Sequence, residues 1–208
     1  MKKSMKNKYL TLQKTAQTEI IIKKSRFITS VFPVNNEAEA TTMIRQIKKE
    51  HQQATHNVFA YVINEQIQRF SDDGEPSGTA GKPVLEVIHH KGLCQIALVV
   101  TRYFGGIMLG AGGLVRAYSE AAVNGIEAAG VIEKLLYQEL FIVMDYQWLG
   151  AVKREIENAD GKQINISYEQ QVNLQSYILQ TALETVTNKI IDISAAQVII
   201  KTGQYLYL

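Results

Sequence analysis

Nine of the 14 glycines in this 208-residue chain fall between Gly74 and Gly113. Glycine lacks a Cβ, so it marks places where the backbone turns left-handed or comes very close to another group. A stretch this rich in glycine cannot be one long helix or strand. It predicts a loop-built region in the middle of a chain whose other parts are regular. Residues 131–208 contain only Gly150, Gly161 and Gly203. Composition and charge both shift near Gly130, which places a domain boundary there and divides the chain into residues 1–132 and 133–208.

Around the glycines the hydrophobic spacing is regular. Residues 18–32 read as two strands joined by a tight turn at Lys23-Lys24-Ser25. Asn36 opens a helix, with Glu39 three residues on as in a capping box and Lys48-Lys49 at the far end. Residues 58–63 and 67–70 read as a hairpin, 83–90 as a helix with Pro83 in its first turn, 95–103 as a buried strand, and 114–129 as a helix. The last part reads β(135–144), α(146–158), β(163–168), β(172–179), α(181–193), β(198–208). That order, βαββαβ, is the ferredoxin-like split motif. The expected fold class is therefore α+β in two domains.

The single cysteine, Cys94, excludes an intramolecular disulfide and fits a reducing cytoplasm. The net charge of +2 is unevenly spread. Residues 1–24 carry +6, residues 25–130 carry −1 and residues 131–208 carry −3. The start, MKKSMKNK, resembles the charged end of a secretion signal, but no apolar stretch follows it. We therefore expect a cytoplasmic protein with no membrane partner. The sequence implies no cofactor and no metal, and leaves the oligomeric state open.

Two segments concentrate the chemistry. The first is Ser71-Asp72-Asp73-Gly74-Glu75-Pro76-Ser77-Gly78-Thr79-Ala80-Gly81-Lys82-Pro83. It reads either as a solvated turn or as three carboxylates able to hold Mg²⁺ or move a proton. The second runs from Thr101-Arg102-Tyr103-Phe104-Gly105-Gly106 through Gly110, Gly112 and Gly113 to Arg116. Free N–H groups before a helix can hold a phosphate. With the helix starting at Leu114, Arg116 lies in its first turn, where the helix dipole disfavours a cation. It then needs an anion: a phosphate, one of Asp72, Asp73 and Glu75, or Glu120 four residues on. Of the histidines, His56 is the one candidate acid or base. No zinc spacing, Walker motif or complete dinucleotide fingerprint is present.

These residues resemble the signature of the YigZ/IMPACT family. The match lies in Asp72 to Gly81, Thr101 to Gly106 and Leu109 to Tyr118, with Ser25-Arg26-Phe27-Ile28 and His56 in support. The resemblance implies an N-terminal domain like the second domain of ribosomal protein S5, and a ferredoxin-like C-terminal domain like the last domain of elongation factor G. It implies a role in translation or stress regulation through RNA or a protein of the translation machinery. The binding residues it suggests are His56, Asp72, Asp73, Glu75, Ser77, Thr79, Lys82, Arg102, Tyr103, Gly105, Gly106, Gly110, Gly112, Gly113 and Arg116. Two other readings stand beside it: an enzyme acting on a phosphorylated or nucleotide substrate, and an internal ion-paired core that joins the two segments.

Overall fold

The computed structural model describes residues 6–208, so most of the lysine-rich start lies outside the described residues. The chain forms strands β1 (Lys8–Leu12), β2 (Ala16–Ile22) and β3 (Ser25–Pro33), then helix α1 (Glu37–Glu50). Next come β4 (His56–Val62), β5 (Gln68–Ser71), α2 (Gly81–His90), β6 (Ile96–Tyr103) and α3 (Ala111–Ala129). The chain ends with β7 (Val131–Met144), α4 (Leu149–Asn158), β8 (Lys162–Tyr168), β9 (Val172–Leu179), α5 (Leu183–Ile193) and β10 (Ile199–Tyr207). This is a mixed α+β architecture with two sheets. It falls into two compact units: Leu10–Glu133, and Lys134–Leu208 together with the described residues up to Tyr9.

The Leu10–Glu133 unit is built on a sheet ordered β2-β3-β6-β4-β5, with antiparallel neighbours throughout. The β2–β3 hairpin turns at Lys23 and Lys24, whose φ values are +45° and +67°, the left-handed pair a tight hairpin needs. Strand β6 lies in the centre and is buried along nearly its whole length. Such a run is typical of parallel sheets, yet these neighbours are antiparallel. The reason is that both faces are covered. Ile96, Leu98 and Val100 enter a core with Val84, Ile88, Ala117 and Tyr118 of α2 and α3. Ala97 and Val99 enter a second core with Ala40, Ile44 and Ile47 of α1. Gly125 lets α3 approach closely, since a Cβ there would lie 2.5 Å from Thr29 and 3.0 Å from Val31.

Two helices start earlier than their sequence predicts. α2 begins at Gly81, two residues before Pro83, and α3 begins at Ala111, three before Leu114. Glycine disfavours helix by about 1 kcal/mol per residue, which makes 105–113 read as loop. Burial of Leu114, Ala117 and Tyr118 outweighs that cost. Arg116 consequently lies in the second turn of α3, past the first turn where the helix dipole would demand an anion beside it.

In the other unit the sheet runs β8-β9-β7-β10, with β1 also paired to β7. The element order from β7 is βαββαβ. Leu140, Ile142 and Met144 of β7 meet Val152 and Ile156 of α4 and Val186 and Ile190 of α5 in one core. No helix among the described residues is long and apolar enough to cross a membrane.

Candidate functional site

The acidic segment is folded around its own carboxylates. Asp72 accepts hydrogen bonds from the backbone N–H of Gly78 at 2.9 Å, Ala80 at 3.1 Å and Gly81 at 2.8 Å. It thereby caps α2 from nine residues upstream, which is why that helix can start on a glycine. Asp73 sits with φ +46° and is held on both oxygens: Lys48 Nζ at 2.6 Å and the Asn57 N–H at 2.6 Å. Thr79 is buried and donates to the Pro76 carbonyl at 2.7 Å. Ser77 is exposed on the turn.

Glu75 is the centre of the arrangement. Its Oε1 accepts from Arg102 Nη1 and from the Tyr118 hydroxyl, each at 2.7 Å. Its Oε2 lies 3.8 Å from His56 Nε2. The Glu75 and Arg102 side chains are only 3% and 6% exposed. A second guanidinium nitrogen of Arg102 reaches Ser25 Oγ at 3.3 Å. The cation lies over the rings of Phe27 and Phe104, at 5.4 and 5.5 Å from their centroids, a placement the ring quadrupoles favour. Its Nε is buried without a partner. Burial, and then the Glu75 charge, push the Tyr118 phenol well above its ordinary pKa, so it stays a neutral donor. His56 Nδ1 is 2.8 Å from the Asp73 carbonyl. A carbonyl only accepts, so Nδ1 carries the proton and Nε2 faces Glu75.

The second glycine segment has a different fate. Ser25 Oγ accepts from the Gly105 N–H at 3.2 Å, and a Cβ on Gly105 would overlap the Lys24 carbonyl. Tyr103 is half-buried, 2.9 Å from His51 Nδ1, with Arg26 over its ring. Beyond Gly105 the segment turns outward. Phe104, Ile107, Met108 and Val115 are exposed, Met108 at 84%. Gly106 and Gly110 have positive φ, and Gly110, the residue just before α3, gives that helix no side-chain cap. Gly112 and Arg116 are exposed and Gly113 is half-buried. Lys82 is also exposed, 3.9 Å from Glu86 on its own helix. Neither Glu120 nor the acidic segment pairs with Arg116.

The structure thus joins His56, Asp73, Glu75 and Arg102 and leaves Lys82, Gly110, Gly112 and Arg116 on the surface. Of the two candidate arginines, the one that pairs with the acidic loop is Arg102. Tyr118 and Ser25 complete the cluster. Both stand in the quoted motif, but nothing in the spacing assigns them a role. Lys48 reads as a helix-end cation and also clamps Asp73. Among the described residues no cluster of histidine, cysteine and carboxylates is arranged to hold a metal ion.

The comparisons with known proteins agree with the motif. A family model described as the Impact N-terminal domain matches residues 23–126, and one described as a domain of unknown function matches residues 142–197. The chain is 41% identical over 206 residues to the IMPACT family member YvyE of Bacillus subtilis, covering 98% of this chain and 95% of that one. It is 35% identical to the IMPACT family member YigZ of Escherichia coli, over 83% and 87% of the two chains. A Dictyostelium discoideum protein, Protein IMPACT homolog, is 36% identical over 42% of this chain and 27% of its own length. A solved structure titled only as a hypothetical protein superposes with a TM-score of 0.64 at 31% identity, covering 96% of this chain and 99% of the other.

Proposed function

The chain belongs to the IMPACT family, and we propose that it is a cytoplasmic binding and regulatory protein that engages RNA or a ribosome-associated partner. The observation that carries this reading is the contrast between the two glycine segments. All three carboxylates of the first are held by groups of their own domain. The second holds its aromatic, apolar and cationic side chains out to solvent at Phe104, Ile107, Met108 and Arg116. Exposed N–H groups at the start of a helix favour anions, and Arg116 and Lys82 add charge. The engaged carboxylates leave the alternative, an enzyme using them for Mg²⁺ or proton transfer, without a supporting observation.

The same reading takes residues 1–132 and 133–208 as the two domains. It likens the first to the second domain of ribosomal protein S5, which the antiparallel sheet covered by helices supports. It likens the second to the last domain of elongation factor G, which the βαββαβ order supports.

The test is the salt dependence of RNA affinity for the full chain and for Arg116→Ala. Loss of one phosphate contact lowers the slope of log K against log salt by about one. An unchanged slope, or no binding at low salt, overturns the glycine segment as an RNA contact.

A further inference from the structure

Strand β2 ends its sheet, with β3 on one side and no strand among the described residues on the other. An edge strand leaves a row of backbone groups unpaired, and proteins usually blunt such edges. The edge strands β5, β8 and β10 are blunted: β5 has four residues, and β8 and β10 each break register part-way along. β2 is not. It has seven residues, no proline, and unbroken pairing with β3 from Ala16 to Ile22. The hairpin fixes which of its groups point outward. Ile22 and Ser25 flank the two-residue turn and exchange both bonds. Bonding alternates along the strand, so Thr18 and Ile20 also bond to β3, whereas Gln17, Glu19 and Ile21 aim N–H and C=O away from the sheet. Those outward groups have no backbone partner among the described residues.

Donors and acceptors repeating every two residues along an edge are met by another β-strand. The side chains select which strand. Ile20 and Ile22 are half-buried against the α3 core, and Ile21, on the other face, is 66% exposed. Glu19 and the turn residue Lys23 are both exposed. An antiparallel copy of β2 placed with Ile21 opposite Ile21 sets outward groups against outward groups, as the bonding requires. In that register Ile20 of each copy faces Ile22 of the other. Glu19 of each copy faces Lys23 of the other. Opposite charges directly across two strands stabilise the pairing, and like charges oppose it. Centring the pair on Glu19 instead would set two carboxylates against each other. One strand thus carries both halves of an apolar and a charged match, and the partner it fits is itself.

We propose that β2 pairs with β2 of a second copy of this chain, antiparallel about Ile21, and joins the two sheets into one across a two-fold axis. The contact is isologous, so it closes at two copies and cannot grow into a filament. It does not depend on whether the protein binds RNA, because none of Phe104, Met108 and Arg116 takes part in it.

Sedimentation velocity of the full chain across a concentration series tests it. The parent is expected to pass reversibly from monomer to dimer as its concentration rises. Ile21→Lys sets two cations against each other at the axis and weakens the dimer roughly tenfold or more. Glu19→Lys alone, and Lys23→Glu alone, each set like charges opposite and weaken it in the same way. An equimolar mixture of those two variants regains the dimer, because every lysine then faces a glutamate. All three positions are exposed, and matching melting curves show that the variants are folded. The proposal is overturned if the parent stays monomeric up to about 1 mM, the weak end of specific association. It is overturned if Ile21→Lys dimerises like the parent, which places the contact elsewhere. It is overturned as well if the mixture stays monomeric, since the Glu19–Lys23 register then fails.

Discussion

Glu75 Oε1 and Arg102 Nη1 stand 2.7 Å apart with both side chains almost wholly withdrawn from water. Removing one member of a buried pair leaves the other charged and uncompensated, at a cost of about 3–5 kcal/mol. Arg102→Ala should therefore shift the urea midpoint strongly without changing the m value. A loss below about 1 kcal/mol would show that water reaches the site and that the pair is not holding the loop.

Arg116 offers the control. It is exposed and forms no ion pair among the described residues, so Arg116→Ala should alter stability by no more than about 0.5 kcal/mol. The two arginine variants separate fold from binding. A large loss at Arg116 in the same denaturation series would contradict its surface placement.

Asp72 holds three backbone N–H groups, two of them at the start of α2. A capping residue replaced by alanine typically costs about 0.5–2 kcal/mol. Asp72→Ala should fall at the upper end, because several donors lose their acceptor together. Thermal melting of Asp72→Ala beside Ser77→Ala, an exposed change in the same loop, provides the comparison. Equal melting temperatures would refute the remote cap.

Tyr61 provides a pH signature. Burial first, and then the hydrogen bond to Glu37 at 2.6 Å, raise its phenol to about 12 from the ordinary value of 10.0. The folded state keeps the proton where the unfolded state has released it. This contribution is fully present below pH 10 and is lost as pH rises from about 10 to about 12. Tyr118 shifts in the same direction. Tyr61→Phe should flatten, but not abolish, the fall in stability over that range. An unchanged alkaline profile would place the Tyr61 phenol in water.

Most of the secondary structure is readable from the sequence because local signals and tertiary packing agree. Asn36 and Glu39 do cap α1, with Asn36 Oδ1 accepting from the Glu39 N–H at 2.9 Å. The βαββαβ order follows from alternation and helical spacing alone. The starts of α2 and α3 are not local matters. One depends on a carboxylate nine residues away, the other on the burial of Leu114 and Tyr118, and glycine-rich sequence obscured both. The site divides in the same way. The acidic loop and Arg102 stand out by composition, but choosing Arg102 over Arg116 requires knowing that Arg102 lies at the buried end of a central strand. Tyr118 was hidden because a tyrosine on an alanine-rich helix face reads as packing.

The fastening of Glu75 also bears on motion. Its partners come from β4, β6 and α3, so the 72–81 loop cannot lift away without pulling on three elements at once. Amide protons at Gly78, Ala80 and Gly81, which would exchange quickly in an ordinary surface loop, should exchange only when the whole domain opens. The connection between β5 and α2 then belongs to the slowest-exchanging part of the domain, and the segment around Met108 to its fastest.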